Sequence, residues 1–123
     1  MNRWLSLSLV AALTPGAALA HARLTGSTPA ANATVSKVTT IGLTFSEKLI
    51  ASTVKAELVM TGMPGMKDHP PMKIAFTSAM GKDGKSMTLQ LKRALAPGTY
   101  KVQWSAAGAD THRMGSEFSF TVK

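Results

Sequence analysis

Apolar residues recur at every second position in several short runs, the period of a β-strand with one buried face. Within residues 38–45 the alternate positions hold Ile41, Leu43 and Phe45, and within 53–60 they hold Val54, Ala56, Leu58 and Met60. The pattern returns as Met87, Leu89 and Leu91 in 87–91, as Tyr100, Val102, Trp104 and Ala106 in 99–106, and as Phe118, Phe120 and Val122 in 117–122. Residues 22–27 and 73–76 are shorter candidates, and turn-forming residues separate the runs at 28–32, 81–85 and 96–98. A helical period of useful length is absent. About seven short strands in roughly 100 residues predict an all-β fold, a two-sheet antiparallel sandwich or small Greek-key barrel, with Trp104 as its central core residue.

One stretch breaks the alternation. Residues 60–72 read M-T-G-M-P-G-M-K-D-H-P-P-M, where Gly62, Pro64, Gly65, Pro70 and Pro71 interrupt any ladder or helix, so a loop is predicted. It holds four of the chain's eight methionines and one of its three histidines. Methionine is ordinarily a core gap-filler, and Met80, Met87 and Met114, which stand singly, read that way. A proline-glycine loop offers little core to fill. Met60, Met63, Met66 and Met72, with His69 beside them, therefore read as a thioether and imidazole site for a soft monovalent ion, copper(I), in preference to an adhesive surface for a protein partner. A thioether needs no deprotonation, so such a site holds its metal into the acidic range.

The chain begins with a basic Arg3, a short apolar run from Trp4 to Leu13 and the small-residue triplet Ala18-Leu19-Ala20, the pattern of a cleaved export signal over residues 1–20. The apolar run is shorter than the roughly 20 residues a membrane span requires, so stable membrane insertion is not expected. Residues 21–123 then make one domain. Cysteine is absent, which removes disulfides and thiolate ligands and with them a blue-copper centre. The formal charge is +8, from 14 basic and 6 acidic residues. The lysines are scattered with few aromatics among them, so the charge reads as a solvated basic surface, not a nucleic-acid interface.

Cleavage after Ala20 would make His21 the first residue, offering an α-amine and an imidazole to one metal ion. Near the other end, Asp110-Thr111-His112 places a carboxylate and an imidazole at spacing two. Together these form a nitrogen and oxygen set suited to copper(II).

His21 after the signal, Thr44-Phe45-Ser46-Glu47, the run from Met60 to Met72, Pro97-Gly98-Thr99-Tyr100, Trp104, Asp110-Thr111-His112 and Phe118-Ser119-Phe120-Thr121-Val122 resemble the CopC family of periplasmic copper-resistance and copper-trafficking proteins. The resemblance implies a cupredoxin-like, immunoglobulin-like Greek-key β-barrel with separate copper sites toward opposite ends. It implies copper(II) on His21, Asp110 and His112, with Glu47 as an outer partner of the ligands, and copper(I) on a subset of Met60, Met63, Met66, His69 and Met72. It further implies a non-catalytic periplasmic carrier serving copper tolerance and homeostasis. Expected partners are copper ions and exported or inner-membrane copper-handling proteins, with the chain itself a monomer. The competing reading is a copper-dependent oxidase or monooxygenase, because an N-terminal histidine joined by a second histidine resembles a histidine brace.

Overall fold

The computed structural model describes residues 22–66 and 70–123. The export signal, His21 and His69 lie outside the described residues. Among the described residues nine strands follow in order: β1 (Leu24–Thr28), β2 (Thr34–Val35), β3 (Thr40–Phe45), β4 (Lys55–Gly62), β5 (Met72–Lys73), β6 (Phe76–Met80), β7 (Ser86–Leu91), β8 (Gly98–Ala107) and β9 (Arg113–Val122). One sheet has the order β1-β3-β7-β6 and the other β2-β9-β8-β4-β5. All named pairings are antiparallel except β2 with β9, which is parallel. The architecture is the expected β-sandwich of Greek-key type, with more strands than the alternation indicated.

The inward faces meet between the sheets in one core. Ile41, Leu43 and Phe45 of β3 and Leu89 and Leu91 of β7 face Leu58, Tyr100, Val102, Phe118 and Phe120 of the second sheet, all buried. Trp104 belongs to this core and meets the Phe45 ring edge-on at 4.9 Å. It is not the centre, however: Tyr100 and Phe120, stacked at 5.6 Å, are the largest fully buried side chains. Trp104 stands nearer the far end of β8.

Three corrections concern the elements themselves. The predicted strand at 73–76 divides into β5, which pairs with β4, and β6, which pairs with β7 in the other sheet, so the chain crosses between sheets at Ile74 and Ala75. β9 starts at Arg113 instead of near residue 117. Met114 is more than a third exposed and fills no core, whereas Met87 is buried and Met80 packs against the core as expected.

β8 is the rod that spaces the candidate sites. Its first residues pair with the end of β4, Met60 opposite Tyr100 and Gly62 opposite Thr99, and its last residue, Ala107, pairs with Arg113. Ten residues of strand separate these ends by about 30 Å. Among the described residues, no helix is long and apolar enough to cross a membrane.

Candidate metal centres

At the β8 start, the methionine stretch is not a loop throughout: its two ends are strands that pair with each other. Met60 lies inside β4 and Met72 inside β5, and the two are register partners, which brings their Cα atoms within about 5.5 Å. Apart from Gly62, the last residue of β4, the prolines and glycines lie between the two strands. There Met63-Pro64-Gly65-Met66 closes a tight turn in which Met66 N–H donates to Met63 O at 3.0 Å and Met63 N–H to Met66 O at 3.4 Å. Proline supplies the first turn position, and Gly65, at φ 77°, supplies the left-handed residue that follows. Met63 and Met66 are thereby set opposite each other. Where β4 leaves its regular register, Thr61 Oγ1 donates to Thr99 at 3.1–3.2 Å and ties the hairpin to β8.

The four thioethers differ in burial. Met60 is a core residue at 5% exposure, whereas Met63, Met66 and Met72 stand 40%, 53% and 52% exposed. Met60, Met63 and Met72 line one hollow of about 490 Å³, floored by Ile74, Leu91, Leu95 and Tyr100. Met66 joins Met63 in an adjoining hollow against Pro97, Gly98 and Lys123. Met63 therefore borders both hollows.

The sequence reading missed what surrounds them. Lys73, Lys92 and Arg93, all exposed, edge the first hollow. They come from two crossovers some twenty residues apart, so only the fold collects them, and the basic surface is less scattered than the sequence implied.

The opposite end is built from three segments. Arg23 N–H donates to Ser46 Oγ at 3.1 Å and Ser46 N–H to Arg23 O at 2.9 Å, which fixes the start of the described chain beside Ser46 and Glu47. Ala22 is fully buried, and Ala22–Leu24 border Trp104, Met114 and Ser116. Leu49 bridges to Gly108, and Ile50 N–H donates to Ala107 O at 2.9 Å, bringing the β3–β4 connection against the β8–β9 turn. The position after residue 21, the Glu47 segment and the Asp110–His112 turn thus share one end of the sandwich.

Within that turn Asp110 Oδ1 accepts from His112 N–H at 3.2 Å, and Oδ2 lies 3.5 Å from His112 Nδ1. The turn thus holds a carboxylate and an imidazole side by side. Between them Thr111 has φ 66°, an unusual conformation for a β-branched residue, held where its N–H donates to Gly108 O at 2.9 Å. Such outliers concentrate at functional turns. Arg113, next in sequence, donates from Nη1 to Ser105 Oγ at 2.9 Å, so its guanidinium reaches back along the hairpin away from the tip. Among the described residues no three His, Cys, Asp or Glu side chains converge as a metal-ligand group, so Glu47 does not join Asp110 and His112 in one.

A family described as the CopC domain matches residues 24–123. Copper resistance protein C of Xanthomonas campestris pv. juglandis is 45% identical over 94% of this chain and 90% of its own length. The protein of the same name from Escherichia coli is 43% identical over 86% and 84%. The crystal structure of PcoC, a methionine-rich copper resistance protein from Escherichia coli, superposes with a TM-score of 0.77 at 41% identity, covering 85% of this chain and all of that one.

Proposed function

The chain belongs to the CopC family, and on that premise we propose that it is an exported, non-catalytic copper carrier with a separate site for each oxidation state. Copper(I) is held by thioethers drawn from Met60, Met63, Met66 and Met72, with His69 as a further donor. Copper(II) is held by the His21 amine and imidazole with Asp110 and His112, and Glu47 acts behind them. The carrier works in the periplasm as a monomer, supports copper tolerance and passes the ion to other exported or inner-membrane proteins.

The observation that carries this reading is the methionine hairpin. Register pairing and the Pro-Gly turn gather four thioethers that sequence spacing alone would leave along an extended chain, and three of them are exposed enough to exchange an ion directly. Thioether softness selects copper(I) over zinc and magnesium. The Asp110–His112 turn supports the second site, because it sets a carboxylate and an exposed imidazole side by side at the end of the sandwich where the described chain starts.

Anaerobic equilibrium dialysis of the mature protein against copper(I) tests the first site: wild type retains the metal, and Met63→Leu/Met66→Leu/Met72→Leu loses it. Retention by the triple variant would remove the thioethers from the site. For the second, mass spectrometry of the exported protein should give a chain starting at His21, and His112→Ala should change the nitrogen coupling in the copper(II) paramagnetic resonance spectrum. An unchanged spectrum would exclude His112.

A further inference from the structure

The hollow shared by Met60, Met63 and Met72 has an apolar floor and a basic edge. Met60, Leu91, Leu95 and Tyr100 in the floor are buried. Lys73, Lys92 and Arg93 at the edge are exposed, and the described lining residues include no aspartate or glutamate. From outside, Glu57 pairs with one of these cations, its Oε1 3.2 Å from Lys73 Nζ. Three of the five large hydrophobic side chains exposed among the described residues, Met63, Met66 and Met72, crowd the same corner. An exposed apolar patch rimmed by charge is the ordinary form of a protein interaction site.

The sign of that charge is informative. Cations along the edge of a monovalent cation site, here chiefly Lys92 and Arg93, oppose capture of the free aqueous ion, since like charges repel across the water-accessible hollow. The arrangement becomes favourable when copper arrives or leaves in contact with something negative that covers the rim. Exposed thioethers then let a donor on the incoming group enter the copper shell before the old donors leave.

We propose that this hollow is the docking site for an acidic, methionine-bearing segment of the protein that exchanges copper(I) with this chain. The proposal rests on the copper(I) assignment above and adds the chemistry of the partner. Carboxylates of the segment meet Lys92, Arg93 and Lys73, while its methionine reaches the thioether cluster over the apolar floor. Electrostatic contacts of this rim type act mainly on encounter rate and partner choice, and they weaken with salt.

The test uses copper(I)-loaded mature protein, kept anaerobic, and a fluorescent synthetic peptide in which aspartates flank a methionine pair. A second peptide has asparagine for every aspartate. Lys92→Gln/Arg93→Gln should weaken the acidic peptide about three- to tenfold at low salt and leave the asparagine peptide unaffected. Lys37→Gln/Lys85→Gln removes the same charge elsewhere and should leave both affinities near wild type. Equal weakening by the two variants, or equal binding of the two peptides, would overturn the docking site, as would displacement of the acidic peptide by inorganic phosphate at matched ionic strength. Copper(I) retention is measured on the same samples. A wild type that fails to retain copper overturns the carrier reading and this proposal together, whereas retained copper with an indifferent peptide overturns the docking alone.

Discussion

Met60 serves the core and the metal hollow at once, and two substitutions separate those roles. It is 5% exposed, pairs with Tyr100 and Met72 in register, and sends its terminal methyl against Gly98, where an added Cβ would stand 2.6 Å away. Truncation to alanine leaves a void among buried side chains held by two sheets that resist collapse, so Met60→Ala should cost about 2–5 kcal/mol. In a domain of this size that lowers Tm by at least about 8 °C, at roughly 4 °C or more per kcal/mol. Met60→Leu conserves volume, should cost less than about 1.5 kcal/mol, and removes only the sulfur. Urea and thermal unfolding of the metal-free mature protein, followed by tryptophan fluorescence and circular dichroism, measure both. A loss below about 1 kcal/mol for Met60→Ala, the range of ordinary substitutions, would refute the packing argument. Once that is settled, any fall in copper(I) retention by Met60→Leu reports the thioether itself.

Gly98→Ala would place a Cβ 2.5 Å from the Gly62 carbonyl oxygen and 2.6 Å from the Met60 methyl, so a loss of about 1–3 kcal/mol is expected, with weaker copper(I) retention because the displaced groups belong to the methionine hairpin; unaltered unfolding would contradict it. Tyr100 is the chain's single tyrosine, and burial raises its phenol above the usual 10.0. Its neutral form contributes stability that is complete below the unfolded value and is lost as pH rises through the folded one, so phenolate absorbance should appear later than for free tyrosine. Glu117 is held below the ordinary carboxylate range, chiefly by the Gln103 amide and then by the Lys101 charge. Its contribution is present above the unfolded carboxyl value and disappears as pH falls through the depressed one. Carboxyl NMR titration should show an upward shift in Gln103→Ala, and no movement would remove the amide as the main cause.

Strands with one buried face were legible because alternation records burial directly, as in Ile41, Leu43 and Phe45 of β3. The first half of β9 was not, since Arg113–Glu117 is exposed throughout and is held in the ladder only by its register with β8. β2 is two residues long and pairs in parallel with β9, a contact between distant segments that no local pattern announces. The methionine stretch was read as a loop throughout, and its two ends are strands. Its prolines and glycines lie between Gly62 and Pro71, while the residues at its two ends pair as strands. The spacing of Asp110 and His112 was visible in the sequence, but the turn that sets them side by side has a left-handed Thr111, which sequence preference disfavours. The basic rim depended on two crossovers meeting, and nothing local encodes that.

The most direct test of the account is X-ray absorption at the copper edge of the mature protein loaded with copper(I) under anaerobic conditions. Wild type should show a shell dominated by thioether sulfur that disappears in Met63→Leu/Met66→Leu/Met72→Leu. A nitrogen and oxygen shell in wild type, or a sulfur shell surviving in the triple variant, would contradict it.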